Sequence, residues 1–461
     1  MQFNPEKAEI RFGCGLSPRY APATSVADML ARLSGPDIAA QTFEIPTLTD
    51  ILPQFRQAKL ANRARRKAET QAGRKAAKKE YRQTIRRMRS DASRAFGHTL
   101  VRRIQGQDGL RERLTAFWAD HFTARGKGRL WAYAYPNYVE EAIRPHVAGR
   151  FSDMLRAAAT HPLMLHYLDQ DGSVGPNSKV GVKFKGRRGL NENLAREMLE
   201  LHTLGIGGPY TQTDVRQLAE LLTGLSFSLT RGFTFLPGQA EPGVKTILGV
   251  SYGGETARLS DIFDALDALA HHPATARHIA TKLATHFVSD TPDRGLIDAL
   301  AATFLDTRGD LIATCDTLLN HPQSWSDDAP NVKQPLDFMT SAMRALDLGP
   351  RHIPLGDPRK MQDIFLTPLA LMGQPWGQAP APDGWPEDDP SWITPQRLAA
   401  RLQWAMSAPF LIRRKLPRPE KYLDRALGQS VPEVLEFAAR SAESRPEGIG
   451  IILASPTFQR F

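Results

Sequence analysis

The spacing of hydrophobic residues predicts helix over most of this 461-residue chain. Leu110, Leu114, Phe117 and Trp118 recur at three- and four-residue intervals, which places their side chains on one face of a helix. Helical spacing returns, with breaks, between residues 259 and 346 and again in two segments near the C-terminus, 395–406 and 431–440. We therefore predict a mainly α-helical fold, in a single domain that covers residues 1–461.

The spacing changes at Leu225, where hydrophobic and polar residues begin to alternate. In LSFSLTRGFTF the alternation runs on both sides of Arg231-Gly232, a pattern typical of a β-hairpin. A later segment, KTILGVSY at residues 245–252, could add a third strand. The sequence thus predicts a small antiparallel β-hairpin insertion within residues 225–256.

Positive charge is concentrated in one segment. The net charge of the chain is +10, yet residues 55–89 alone hold fourteen Lys or Arg against two acids, Glu69 and Glu80. This segment therefore carries +12, and the rest of the chain is left at −2. Its residues favour helix, and its hydrophobic side chains are too few to form a continuous buried stripe. We predict a protruding basic helix within a helical insertion at residues 55–100.

A segment of this charge attracts anions. It should bind polyanions weakly, without sequence preference and with a steep dependence on salt. Between Arg56 and Arg89 the one aromatic residue is Tyr81, so stacking of nucleic-acid bases is not expected. A solvated extension, or a docking arm for an acidic partner, fits the composition better than a nucleic-acid interface.

Features that report on the compartment are few. Cys14 and Cys315 lie far apart in the chain and predict buried free thiols rather than a disulfide framework. No apolar run approaches the roughly 18–20 residues that span a bilayer. The N-terminal residues MQFNPEKAEIRFGCGLSP lack the apolar stretch of a secretory signal. We expect a cytoplasmic protein, with export to the periplasm together with a partner as the alternative.

A dense group of ionisable residues lies on the first of two helices predicted between Asn191 and Gly224. At about 100° per residue, Asn193, Glu197 and Glu200 fall within about 60° of one another. An amide oxygen and two carboxylates on one face could bind a divalent metal ion. His202 lies about 200° around the helix from Glu200 and cannot join them.

Any imidazole ligand for this site must therefore come from another element, and His121 and His161 are the candidates. Two other interpretations stay open. Arg196 could neutralise the two carboxylates in a structural ion-pair network, or Glu197, Glu200, Arg196 and His202 could perform acid–base catalysis. No complete metal or thiol motif decides between them, because the chain contains neither HExxH nor CxxC.

A second candidate site lies in the segment HHPATARHIATKLATHFV. His271, Thr275, His278 and Lys282 follow one another at intervals of four, three and four residues, which predicts a polar stripe along one helix. Histidine and lysine side chains can donate hydrogen bonds to phosphate or sulfate. The stripe is thus a candidate anion-binding site, although a solvated helix face has the same pattern.

The last such segment is a loop rich in glycine, proline and tryptophan, GQPWGQAPAPDGWPEDDPSW at residues 373–392. Its composition predicts either a loop held by buried tryptophans or the lip of a ligand groove.

Several segments, in order along the chain, resemble a bacterial family known as "domain of unknown function 1800". They are FWADHF (117–122), HPLMLHYLD (161–169), LNENLAREMLELHTLG (190–205), YTQTDV (210–215), LTG (222–224), HPATARHIATKLATHFV (272–288), the GQPWGQAPAPDGWP part (373–386) of the loop just described, and SPTFQ (455–459). The resemblance implies a mainly helical, single-domain protein with no established activity. It also implies a partner, since members are often encoded beside exported proteins similar to sulfatases and alkaline phosphatases.

These observations favour an accessory, partner-binding protein. One alternative is a metal-dependent hydrolase that uses Glu197, Glu200 and a distant histidine. The other is non-specific polyanion binding through residues 55–89.

Overall fold

The structure, a computed structural model, is 63% helical with 5% strand, which confirms a mainly α-helical fold with small β-hairpins. It describes residues 3–183, 189–326, 330–429 and 431–461. Within those ranges, no helix is both long and apolar enough to cross a membrane.

The described α-helices, numbered in chain order, are α1 (Pro5–Arg11), α2 (Val26–Ser34), α3 (Ile38–Thr42), α4 (Leu48–Lys67), α5 (Gln71–Gln105), α6 (Gly109–His121), α7 (Gly128–Trp131), α8 (Tyr135–Tyr138), α9 (Phe151–Thr160), α10 (Pro162–Tyr167), α11 (Lys179–Lys183), α12 (Asn193–Glu197), α13 (Gln212–Leu221), α14 (Leu259–Ala270), α15 (Pro273–Phe287), α16 (Arg294–Asp306), α17 (Leu311–Asn320), α18 (Pro335–Ala345), α19 (Pro358–Met361), α20 (Thr367–Leu371), α21 (Asp389–Trp392), α22 (Pro395–Ile412), α23 (Pro419–Leu427), α24 (Glu433–Arg440), α25 (Arg445–Ala454) and α26 (Pro456–Gln459). The π-helical turns are Val139–Ile143, Met198–His202 and Gln362–Leu366, and the 3₁₀ turns are Arg144–His146, Gln170–Gly172, Pro322–Trp325 and Pro350–His352. The strands are β1 (Leu225–Ser228), β2 (Gly232–Phe235), β3 (Gly243–Ile247) and β4 (Val250–Gly254).

The four strands form two separate hairpins. β1 pairs with β2 in the predicted position, Leu225 opposite Phe235. The prediction of a single third strand at residues 245–252 is wrong, because this segment folds back on itself and forms β3 and β4 of a separate hairpin. The cause is Leu248-Gly249, where both residues have positive φ (50° and 80°) and form a two-residue turn that matches the twist of a hairpin.

The predicted single basic helix is two helices. The backbone is extended at Ala68, and Thr70 begins the next helix by accepting a hydrogen bond from the N–H of Gly73 at 3.1 Å. α4 and α5 then pack along each other through the small buried side chains of Ala58, Ala61 and Ala77. We call residues 55–89 of this pair the basic hairpin.

The hydrophobic core consists of two clusters that share α5. Ile85 and Met88 of α5 belong to the first cluster, which is built on elements from the N-terminus to Trp325. Leu100 and Ile104, further along the same helix, belong to the second cluster, which is formed mainly by α18 to α26. The insertion predicted at 55–100 therefore ends inside a core helix. The single-domain organisation stays a prediction, which cooperative unfolding of both clusters would test.

Buried charges connect the two clusters. Arg103 of α5 pairs with Asp337 of α18, and Arg113 of α6 lies 3.7 Å from the same carboxylate. Arg344 donates to four carbonyl oxygens, including those of Ile104 and Gly106 at 3.0 and 2.7 Å. We call Arg103, Arg113, Asp337 and Arg344 the polar seam; each is less than 9% exposed. Because a buried charge without a partner is costly, these pairings fix how the two clusters meet.

Candidate functional site

The helix predicted to carry Asn193, Glu197 and Glu200, which we call the carboxylate helix, is present. Most of its charged side chains are paired near the surface. The helix α12 begins at Asn193, with Glu192 at its N-cap position; Asn191 precedes them, and its side chain accepts a hydrogen bond from the N–H of Asn193 at 2.9 Å. Arg196 lies between Glu192 and Glu200, 3.3 Å from each. All three side chains are between 27% and 38% exposed, so these two ion pairs lie at the surface and do not form a buried network.

Unlike Glu192 and Glu200 of the same helix, Glu197 forms no ion pair with any described residue. Partial burial, with smaller contributions from Glu200 and Asp383, raises its pKa. Asp383 belongs to the 373–392 loop, so the loop passes close to this helix.

The structure does not bring the predicted metal ligands together. His161 lies 3.6 Å from Glu141 and packs edge-on against Tyr138, and its Nδ1 caps α10. His121 contacts the backbone carbonyl of His202 instead of a carboxylate. Across the described parts of the chain, no three His, Cys, Asp or Glu side chains converge closely enough to hold a metal ion. A divalent metal on Asn193, Glu197 and Glu200 thus stays a prediction, without an imidazole ligand in this conformation.

Two of the histidines close the end of the carboxylate helix. The helix continues through the π turn Met198–His202, and His278 Nε2 lies 2.9 Å from the carbonyl of Leu201 while His121 Nε2 lies 3.2 Å from that of His202. Carbonyls at a helix end have no partner within the helix, so these imidazoles supply their hydrogen bonds. Gly205 allows the close packing, since a side chain there would meet His278 Nδ1 at 3.1 Å. We call His121, His202 and His278 the histidine cluster.

All three imidazoles are held neutral. Burial, reinforced by the charge of Lys282, lowers the pKa of His202 to about 3, and burial lowers the pKa of His121 and His278 in the same direction. A neutral imidazole protonated on Nε2 can still donate the hydrogen bond to the helix-end carbonyl. His202 is therefore a core residue here, and its predicted role in acid–base catalysis gains no support from its position.

We expect acid to destabilise the protein through the histidine cluster. An unfolded histidine has a pKa near 6.5, so below that pH the unfolded chain takes up protons that the folded cluster excludes. The stabilisation is complete above about pH 6.5 and is lost as the pH falls towards the folded pKa. Urea denaturation between pH 7.5 and 4.5 should show a shallower loss of stability in His202→Asn than in the unaltered protein. His271→Asn, at the surface, should keep the original slope; equal slopes in all three proteins would contradict the role of His202.

The predicted anion-binding stripe is not continuous. α15 begins at Pro273, so His271 lies at the end of α14, with its Nε2 3.2 Å from the carbonyl of Arg308. Thr275 is fully buried and donates to the carbonyl of Leu269 at 2.7 Å. With His278 bonded to Leu201, Lys282 is the member that faces other charged groups, among them Asp120 and Glu387.

A cleft opens beside the polar seam, where three of the segments that carry the family resemblance meet. FWADHF lies on α6, HPATARHIATKLATHFV on α15, and the 373–392 loop covers both. The cleft has a volume of about 80 Å³, and its lining includes α5, α6, α8, α18 and the loop. Its charged side chains are Arg102, Arg103, Glu112, Asp120, Glu140, Arg144, His286 and Asp337.

Most of these charges neutralise one another. Arg102 pairs with Glu140 at 2.7 Å, and Arg144 with Glu112 at 2.6 Å. Asp120 has no cationic group within 4.0 Å among the described residues; its Oδ1 accepts a hydrogen bond from the N–H of Trp385 at 2.9 Å. Burial raises the pKa of Asp120 to about 8, Lys282 opposing and Glu387 reinforcing the shift. Asp120 is thus the unneutralised acid of the cleft.

His286 lies at the edge of the cleft between two charges. Its Nδ1 is 2.9 Å from Glu387, and its Nε2 is 3.4 Å from Arg113 Nη2. Since arginine can only donate, Nε2 accepts and Nδ1–H donates to the carboxylate. Burial alone would raise the pKa of Glu387, but His286, Lys282 and Arg113 outweigh it and lower the pKa. With both nitrogens engaged, His286 is a positioned structural group and not a free base.

The 373–392 loop is held by packed tryptophans and also lines the cleft, while its role as the lip of a ligand groove stays a prediction. Trp392 is buried, while Trp376 packs against Phe96 and Tyr135 at ring-centroid distances of 4.9 and 5.2 Å. Gly384, at φ +90°, lies so close to Asp120 that a Cβ would approach both carboxylate oxygens to 2.6 Å. The glycine therefore lets the loop backbone seat directly on the carboxylate.

Sequence reasoning missed Asp120, His286 and Glu387. They lie far apart in the chain, and no local spacing connects them. The available signal was the family resemblance, because Asp120 and His286 stand inside segments that carry it and Glu387 directly follows one.

Comparison with known proteins identifies the family of the chain. No curated protein and no solved structure matches the chain. A family model matches residues 10–460, which include the basic hairpin, the histidine cluster and the cleft. The chain therefore belongs to the family described as "Protein of unknown function (DUF1800)".

Proposed function

We propose that this protein works as an accessory protein that binds an acidic protein partner through the basic hairpin. The supporting observation is the state of its charges. Of the fourteen Lys and Arg side chains in residues 55–89, all but that of Arg65 are exposed. Within the described ranges, none of the fourteen forms an ion pair. The hairpin is therefore an uncompensated cationic surface on a rigid two-helix support.

Four buried arginines outside the hairpin, by contrast, have acidic partners. Arg102, Arg103, Arg111 and Arg144, on helices and turns that adjoin the hairpin, each pair with an acid of the same chain. Like charges crowded on one surface repel one another, and an acidic partner would relieve that repulsion. Nine of the fourteen hairpin cations are arginine, the side chain that binds carboxylates through two parallel hydrogen bonds.

An acidic protein fits this surface better than a single-stranded nucleic acid does. Tyr81, the aromatic side chain of the hairpin beyond Phe55, already lies under the guanidinium of Arg65 at 5.6 Å. Bases would therefore find no free ring on which to stack. The family resemblance suggests one candidate partner, the sulfatase- or alkaline-phosphatase-like exported protein often encoded nearby. Fractionation of host cells would show whether the two meet in the cytoplasm or the periplasm.

The test is co-purification of the full-length protein from its native host at physiological salt. We expect a stoichiometric protein partner. Replacement of Arg74, Lys75, Lys78 and Arg82 by glutamine should weaken its binding roughly tenfold, because each exposed ion pair contributes a few tenths of a kcal/mol to about 1 kcal/mol. Binding should also weaken as salt is raised.

A matched control removes the same charges elsewhere. Arg351, Arg414, Lys415 and Lys421 are exposed, and their replacement by glutamine changes the net charge equally. Binding that falls equally in both variants would exclude a specific role for the hairpin. Recovery of nucleic acid, without a protein, would overturn the proposal in favour of polyanion binding.

A further inference from the structure

The cleft contains an acid without a counter-ion. Asp120 on α6 is partly exposed, and its carboxyl group accepts a hydrogen bond from the Trp385 N–H at 2.9 Å. The arginines of the lining are already bonded to other acids, Arg102 to Glu140, Arg103 to Asp337 and Arg144 to Glu112. A carboxylate without a counter-ion in an otherwise neutralised cleft is complementary to a positive ligand.

The other charged groups that act on Asp120 do not supply that counter-ion. Lys282 of α15 lowers its pKa without approaching within ion-pair distance, while Glu387 and Asp383 of the loop raise it. Tyr135 of α8, on the facing wall, carries a neutral phenol whose pKa is raised by burial and then by Asp120. When Asp120 ionises, the acids around this position outnumber the single lysine.

Aromatic rings surround the same space. Tyr135, Trp376 and Trp385 all line the cleft and are partly exposed to it. Tyr135 and Trp376 meet at nearly right angles (89°), so their rings form two walls of a corner. The faces of aromatic rings attract cations, most strongly where water is excluded.

The size of the cleft limits the ligand. Its volume of about 80 Å³ is smaller than the ~150 Å³ cavity that accepts a benzene molecule. A small polar head group fits, and a nucleotide or sugar ring does not fit inside without movement of the loop.

We propose that the cleft binds an organic cation, a primary ammonium or guanidinium group, with Asp120 as its counter-ion and Tyr135, Trp376 and Trp385 as the surrounding rings. The site is separate from the basic hairpin, which carries the opposite charge. The cleft would thus bind a small molecule or a single side chain, whereas the basic hairpin is proposed to bind a macromolecule.

The probes for this test are butylammonium and methylguanidinium, each paired with a neutral molecule of similar shape, 1-butanol and methylurea. Saturation-transfer NMR with the full-length protein should show binding of the cations and roughly tenfold weaker binding of the neutral molecules. Binding should strengthen from pH 6.5 to pH 9, since Asp120 must be ionised and its pKa in the empty cleft is about 8. The ionised fraction rises roughly thirtyfold over this range, which sets the expected gain in affinity.

Asp120→Asn should weaken cation binding by about tenfold or more. Asp383→Asn removes an exposed acid of the 373–392 loop and should weaken cation binding by less than about threefold. Equal binding of the neutral molecules, competition by sulfate or phosphate, or equal losses in both variants would overturn the proposal. If Asp120→Asn fails to fold, the pH series on the unaltered protein decides, because a flat profile is incompatible with Asp120 as counter-ion.

Discussion

Replacement of Asp337 by alanine should lower the free energy of unfolding by about 3–5 kcal/mol, the usual cost of breaking a buried ion pair from one side. Asp337 is the shared counter-ion of Arg103 and Arg113, and all three are buried. Arg113 depends on it most, since its Nε and Nη1 form no hydrogen bond among the described residues. Two uncompensated guanidinium groups would then lie between the clusters. Urea denaturation followed by tryptophan fluorescence measures the change.

Two further variants separate this effect from a general loss of charge. Asp306→Ala removes an exposed acid at the end of α16 and should change stability by no more than about 0.5 kcal/mol. Arg113→Met combined with Asp337→Leu removes charges from both sides of the seam, and it should recover part of the loss. If Asp337→Ala costs less than about 1 kcal/mol, the seam does not hold the clusters together as described.

The second large effect is expected from Gly384→Ala, at about 2–5 kcal/mol. The new methyl group would lie 2.6 Å from both carboxylate oxygens of Asp120, and the backbone at φ +90° disfavours any L side chain. Strain in the left-handed region costs roughly 1–2 kcal/mol, and overpacking adds about 1–3 kcal/mol. The loop must move away from the carboxylate, so proteolysis within residues 373–392 should accelerate as urea stability falls.

Gly243 provides a matched control for that experiment. It has the same φ of +90°, but a Cβ there would meet no atom within 4 Å. Gly243→Ala should therefore show the backbone cost alone, about 1–2 kcal/mol. Equal losses at Gly243 and Gly384 would mean that the contact between the loop and Asp120 contributes nothing to stability.

The fold was largely predictable because helix formation depends on local spacing. The periodicity around Phe117 and the alternation around Arg231-Gly232 both act over a few residues, and the structure has a helix and a hairpin there. The break at Ala68–Thr70 was missed because that stretch contains neither proline nor glycine. The separate second hairpin depends on positive φ at Leu248, which leucine rarely adopts and which composition does not indicate.

The candidate sites were harder to predict. The prediction of a polar stripe beginning at His271 assumed a single helix. Pro273 argues against it, because proline favours the first position of a new helix. Helical geometry located Glu197 and Glu200 on one face but could not show that Arg196 holds Glu200 at the surface. The charge balance of the cleft arises from Asp120, Lys282 and Glu387, and their proximity exists only after the chain has folded.

The helix α5 joins the two regions to which we assign binding. Its 35 residues make a rod about 52 Å long. The N-terminal half forms one limb of the basic hairpin, while Thr99, Arg102 and Arg103 in its last turns line the cleft. Because both regions belong to one helix, a rigid displacement of α5 at the hairpin would also displace one wall of the cleft. The two regions therefore share a mechanical element, although they lie at opposite ends of it.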